Sequence, residues 1–200
     1  MRILALGAVL ALLGGGLDAF ASDPVSYSPK LTIRTSVGSL QNTGTLGGST
    51  LTFGTLDFAY LYFLSPVIEL GVGYLLDLDF GSGQAPFSGF NLNGRYYFKG
   101  QGTVVHSDSG FVASDTHDTL AYYAGLELAQ RSYNQFEAGN LTQPISGSFV
   151  SLNGLLGTDF RITRSVELTA EAGMGFMSFA SDERIKIQAT VLQFGVNYVW

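Results

Sequence analysis

RIKIQATVLQFGVNYVW, Arg184 to Trp200, is the stretch whose reading decides the fold. In steps of two from its end, Trp200, Tyr198, Val196, Phe194 and Leu192 fall on one face, and Asn197, Gly195, Gln193, Val191 and Ala189 on the other. A two-residue period belongs to a β-strand, because successive side chains of an extended chain point to opposite sides. An ordinary strand is roughly 5–6 residues long. A tilted strand crossing hydrocarbon needs about 9–11, and the run here suits that length.

The same alternation recurs upstream. In Val67 to Phe80, Ile68, Leu70, Val72, Tyr74, Leu76, Leu78 and Phe80 oppose Glu69, Gly71, Gly73, Asp77 and Asp79. Similar runs span Lys30 to Leu40, Thr50 to Leu64, Phe87 to Lys99, Thr119 to Tyr133, Ser148 to Thr163 and Val166 to Phe179. Within Thr50 to Leu64 the apolar parity changes, since Leu51 and Phe53 are out of step with Leu56, Phe58, Tyr60 and Tyr62. A β-bulge near Gly54 is the expected cause. No stretch after residue 21 reaches the roughly 18 apolar residues of a transmembrane helix. A membrane protein with these segments must close its sheet, because an unpaired backbone group in hydrocarbon costs several kcal/mol.

Residue size decides which face looks inward. The interior of an eight-stranded barrel is only just wide enough for side chains to fill. The polar face carries Gly71, Gly73, Gly125, Gly173, Gly175 and Gly195, whereas the apolar face has a large residue at nearly every step. The apolar face therefore points to lipid. A soluble barrel with an apolar lumen would need the reverse. Tyr60, Tyr62, Tyr96, Phe98, Tyr198 and Trp200 stand near segment ends on one side, as an aromatic girdle at the membrane interface does.

The expected architecture is all-β: a closed antiparallel up-and-down transmembrane β-barrel of eight strands, filling residues 22–200. Residues 1–21 read as a signal peptide, with Arg2, an apolar stretch from Ile3 to Leu17, and Ala19-Phe20-Ala21 before the cut. The connections opposite the termini are Gln41 to Ser49, Gly81 to Pro86, Asn134 to Gly147 and Ser181 to Glu183. One connection on the terminus side, Gly100 to Asp118, is long. Thr103 to Val105 and Phe111 to Ala113 there match a small hairpin, and a ten-stranded barrel is the alternative.

The inward face carries the charges Arg34, Asp57, Glu69, Asp77, Asp79, Arg95, Lys99, Glu127, Arg131, Asp159, Arg161, Glu167 and Glu171. With both signs present, they are expected to form an ion-pair network that plugs the lumen. A narrow polar path that favours cations is the competing reading. The net charge of −6 and the scarcity of Lys and Arg leave nucleic acid no basic surface to bind. The absence of cysteine removes disulfides and thiolate chemistry. His106 and His117, with Asp108, Asp115 and Asp118, make a loose cluster in the long connection; without tight ligand spacing a solvated loop is the expectation there. No catalytic residues, metal site or cofactor are assigned, and an enzyme is not expected.

The signal peptide, the alternating segments, the girdle, the glycine-rich inner face, GRYYF (Gly94 to Phe98) and the terminal FGVNYVW together resemble the superfamily of small bacterial outer-membrane β-barrels. That group contains the OmpA, OmpX and OmpW barrels. The resemblance implies an integral protein of the Gram-negative outer membrane, in contact with its lipid. It also implies that Leu192, Phe194, Val196, Tyr198 and Trp200 form the signal read by the barrel assembly machinery. A structural or surface-interaction role is the leading expectation, and a porin-like or OmpW-like passage for small solutes the alternative. Any extracellular partner is expected to meet the external loops, above all Asn134 to Gly147 with Phe136, Leu141 and Ile145; a mobile loop whose apolar residues pack on the rim is the leading reading of that segment.

Overall fold

The computed structural model describes residues 26–27, 29–42, 50–79, 87–98, 104–108, 111–115, 119–136, 145–163, 165–181 and 186–199. Eight long strands form the wall: β2 (Lys30–Asn42), β3 (Thr50–Ser65), β4 (Ile68–Asp79), β5 (Phe87–Tyr97), β8 (Leu120–Phe136), β9 (Ile145–Arg161), β10 (Val166–Ala180) and β11 (Ile187–Val199). They close in the order β10-β11-β2-β3-β4-β5-β8-β9. Every neighbouring pair is antiparallel, and the barrel is sealed by β2 against β11, from Lys30 opposite Val199 to Asn42 opposite Ile187. Closure leaves no sheet edge for hydrocarbon to desolvate. The fold is thus an eight-stranded, up-and-down barrel, not a ten-stranded one.

The remaining strands are short. β1 (Ser26–Tyr27) pairs with β6 (Val104–Asp108), which pairs with β7 (Phe111–Asp115). This three-stranded sheet contains the hairpin expected in the long connection. It lies on the terminus side, where β1 sits against β3. His106 is on β6, and His117 lies outside the described residues.

Alternation sorts the wall into two faces. Leu31, Ile33, Val37, Phe58, Leu70, Val72, Leu92, Leu126, Leu128, Leu168 and Phe194 are exposed on the outside. An apolar belt of that extent around a closed barrel is stable against lipid and not against water. Tyr60, Tyr96, Phe98, Tyr122, Phe160 and Tyr198 are exposed on it towards the terminus side. No helix among the described residues is long and apolar enough to cross a membrane, and strands make the crossing.

Two expectations are corrected here. Pairing through Gly54 is continuous, with Gly54 opposite Val37 on one side and Leu78 on the other, so there is no bulge at that point. Phe53 instead points into the lumen and is fully buried. Its apolar character made an inward position look outward. The register shifts lie at Phe63/Ser65, Tyr133/Phe136 and Gly175/Met177. Second, β8 runs on to Phe136 and β9 begins at Ile145, which face each other across the pair. Of the expected loop Asn134 to Gly147, only residues 137–144 fall outside these strands, and they are not among the described residues. The signal-peptide segment, Trp200 and Lys99 also lie outside them.

Candidate functional site in the barrel lumen

Apolar side chains gather at both ends of the lumen. On the loop side Phe53, Phe87, Tyr133, Phe149, Ala189 and Val191 form one cluster. Phe87 meets two of its rings edge-on, centred 5.9 Å from Phe149 and 6.1 Å from Tyr133. On the terminus side Phe63, Tyr97, Ala121 and Tyr123 form a second. Tyr97 lies 5.4 Å from Phe63 and 5.1 Å from Tyr123. Centroid separations in this range are those at which aromatic quadrupoles attract.

Room for these rings comes from glycine on the neighbouring strand. Tyr123 is opposite Gly157 in the register, and a Cβ on Gly157 would lie 2.3 Å from the ring. Gly38 serves Phe53, Gly71 serves Leu61 and Gly195 serves Arg34 in the same way. Gly157→Ala should therefore displace the Tyr123 ring and destabilise the barrel by roughly 1–3 kcal/mol. Urea titration of folded barrel in lipid vesicles measures this, and an unshifted midpoint would show that the ring has space to move.

Between the caps stands a connected ionic layer. Near the terminus side Lys30 Nζ lies 2.8 Å from Glu167 and 3.4 Å from both Glu69 and Asp159. It also sits over the Phe63 ring, 4.8 Å from its centre, where the negative face of the ring attracts a cation. Arg161 donates from Nε to the same Glu167 at 3.1 Å. Tyr97 donates its hydroxyl to Asp159 at 2.7 Å. Arg95 bridges Glu69 at 3.0 Å and Glu171 at 3.1 Å, with its guanidinium 4.7 Å from the centre of the Tyr123 ring. Tyr123 donates to Glu171 at 2.9 Å.

Arg34 continues the chain, bonding Asp57 through Nε at 2.8 Å and again through Nη2, and reaching Glu171. Asn91 donates to Glu127 at 3.1 Å, and Asn153 to its other oxygen at 2.9 Å. Towards the loop side Arg131 Nε donates to Asp77 at 2.8 Å, and Thr55 donates to the same carboxylate. Strand alternation is what aims these side chains inward, and wall closure is what strips their water. A buried charge in such a place is tolerable only when paired and hydrogen-bonded.

Of the charges read from the sequence, Arg34, Asp57, Glu69, Asp77, Arg95, Glu127, Arg131, Asp159, Arg161, Glu167 and Glu171 stand on the inner face. Asp79 is on β4, but its side chain is not described. Sequence reading missed Lys30, which ends a segment and looks like a flanking charge. Its parity with Thr32 and Arg34 is the signal that places it inside. Leu192, Phe194, Val196 and Tyr198 line the outer face of β11. Among the described residues no group of three or more His, Asp or Glu converges to hold a metal.

A closed eight-stranded barrel, apolar outside and charged inside, is the fold that small bacterial outer-membrane barrels have. Solved structures share this fold. Neisserial surface protein A aligns with a TM-score of 0.55 at 16% identity, over 85% of this chain and 97% of that one. The N-terminal barrel domain of Pseudomonas aeruginosa OprF aligns with a TM-score of 0.50 at 14% identity, over 84% and 97%. No protein-family model matches the chain, and no curated protein matches it by sequence.

Proposed function

We propose that the chain is an integral outer-membrane barrel of structural or surface-interaction type, non-catalytic, with a lumen closed to solutes. The supporting observation is the occupied lumen. Aromatic clusters cap both ends, and between them the charges bond to one another from Arg161 to Asp57 and, through the Asn91 amide, to Glu127. Such a filling makes the wall a rigid support for its loops, and loops on a rigid scaffold are where recognition concentrates. An extracellular partner would accordingly meet the connections opposite the termini. The exposed apolar row of β11 suits the assembly machinery as its first contact with the strand.

A second reading, a narrow cation path, draws on the charge balance. Seven carboxylates, Asp57, Glu69, Asp77, Glu127, Asp159, Glu167 and Glu171, face five cations, Lys30, Arg34, Arg95, Arg131 and Arg161, among the described inner residues. Single-channel recording in planar bilayers separates the two. The purified barrel is expected to insert without steady unitary current. Reproducible cation-selective steps would overturn the closed-lumen reading in favour of the passage.

A further inference from the structure

The outer wall is not apolar throughout. At the loop-side ends of β11, β2 and β3 the outward positions carry Thr190, Ser39 and Thr52 in one row, with Thr190 opposite Ser39 and Ser39 opposite Thr52. One step nearer the loops Gln188 is opposite Gln41, and both are exposed. On the adjoining β10 the outward residues towards that end are Met177 and Phe179, 48% and 67% exposed. The polar sector is therefore local to three strands and is not the general rim of the belt. A hydroxyl or amide turned to hydrocarbon costs free energy unless it finds a partner.

Beside this row a groove of about 780 Å³ crosses the outside of the wall from β9 to β3. Gly154 and Ala172 leave its floor low, while Leu192 and Val37 line it. The Phe176 ring stands over Gly154, 3.6 Å from the Cβ position, and forms one bank. At the loop end of the sector Lys186 is exposed, two residues before Gln188 and in step with it. Among the described residues it is the one basic side chain outside the lumen, in a chain of net charge −6.

We propose that this sector holds one lipid of the outer leaflet, a phosphorylated saccharolipid. Its acyl chain lies in the groove, its sugar bonds the Thr190–Ser39–Thr52 row and the Gln188–Gln41 pair, and its phosphate stands by Lys186. The loops of an outer-membrane barrel face outside, which puts the polar sector at the headgroup level of that leaflet. Hydroxyls and amides both donate and accept, as the hydroxyls of a sugar do. An ammonium serves phosphate as a point charge. Within a membrane, packing rather than transfer from water rewards a chain that fits a groove. A second copy of the chain fits less well. In a two-fold pair the same patch meets itself, so two grooves would enclose a void and both Lys186 side chains would share one interface.

Native mass spectrometry of the refolded chain in detergent, with lipid A or phosphatidylcholine supplied in mixed micelles, tests this. One lipid A retained per barrel, and no phosphatidylcholine, is expected. Ala172→Phe puts a ring on the groove floor without entering the lumen, and should abolish retention in a folded barrel. Lys186→Gln should weaken binding about five-fold, the worth of one cation beside an anionic headgroup. No retained lipid A, equal retention of the two lipids, or wild-type retention by either variant overturns the site. A protein dimer that Ala172→Phe dissociates overturns it too, in favour of a second copy. Should Ala172→Phe fail to fold, Lys186→Gln, which lies ahead of β11, decides together with the wild-type lipid comparison. The site is on the outside of the wall, so it can fail while the closed-lumen reading stands, or the reverse.

Discussion

Replacing Lys30 with Met is expected to destabilise the barrel by about 3–5 kcal/mol, the cost of breaking a buried ion pair from one side. The reason is the crowding of acid around one ammonium. Without Lys30, Glu69 keeps Arg95 and Glu167 keeps Arg161. Asp159 loses its ion-pair cation and keeps the Tyr97 hydroxyl. Lys30→Met combined with Asp159→Asn should recover much of the loss, because it removes the carboxylate left without a cation. Urea midpoints of the two variants in lipid vesicles check both expectations. A single variant as stable as the wild type would mean that the ionic layer does not hold the lumen together.

Leu92→Arg should cost about 2–4 kcal/mol if the residue is near the bilayer midplane. Leu92 is at the centre of β5 and 49% exposed on the outer face, between the buried Asn91 and Asn93. The charge would have to be dragged to an interface or solvated by thinning the bilayer. Leu92→Phe, which keeps an apolar surface, should be close to neutral. The same urea titration in vesicles reads both. An arginine tolerated without cost would mean that this face is not in contact with hydrocarbon.

Strand existence and facing were legible in the sequence because one physical contrast runs the length of the wall. Residues such as Leu70 and Val72 meet lipid while Glu69 and Gly71 face the interior, and alternation records that directly. Where the contrast fails, the reading failed too. Phe53 is apolar and inside, so the parity breaks as it would at a bulge although the pairing there is continuous. Lys30 is charged and inside at the end of a strand, where a charge normally belongs to solvent. The bulge at Gly175/Met177 leaves Phe176 and Met177 both exposed, and no local residue pattern announces it. The partners of each carboxylate were also illegible. They depend on which strands neighbour one another and at what stagger, as the reach of Arg95 to Glu171, from one side of the lumen to the other, makes plain.

The pairing of bulk with glycine across strands has an implication for how this interior can change. Tyr123 needs the bare backbone of Gly157, and Phe53 that of Gly38. Enlarging one member alone overfills the lumen, and shrinking the other alone leaves a void, so each single step is opposed. Moving the volume from one strand to its neighbour keeps the sum constant. Tyr123→Gly together with Gly157→Tyr is then a shorter route to a working barrel than either substitution alone. Relatives of this chain would be expected to differ inside by such reciprocal exchanges, while the outer wall drifts one residue at a time.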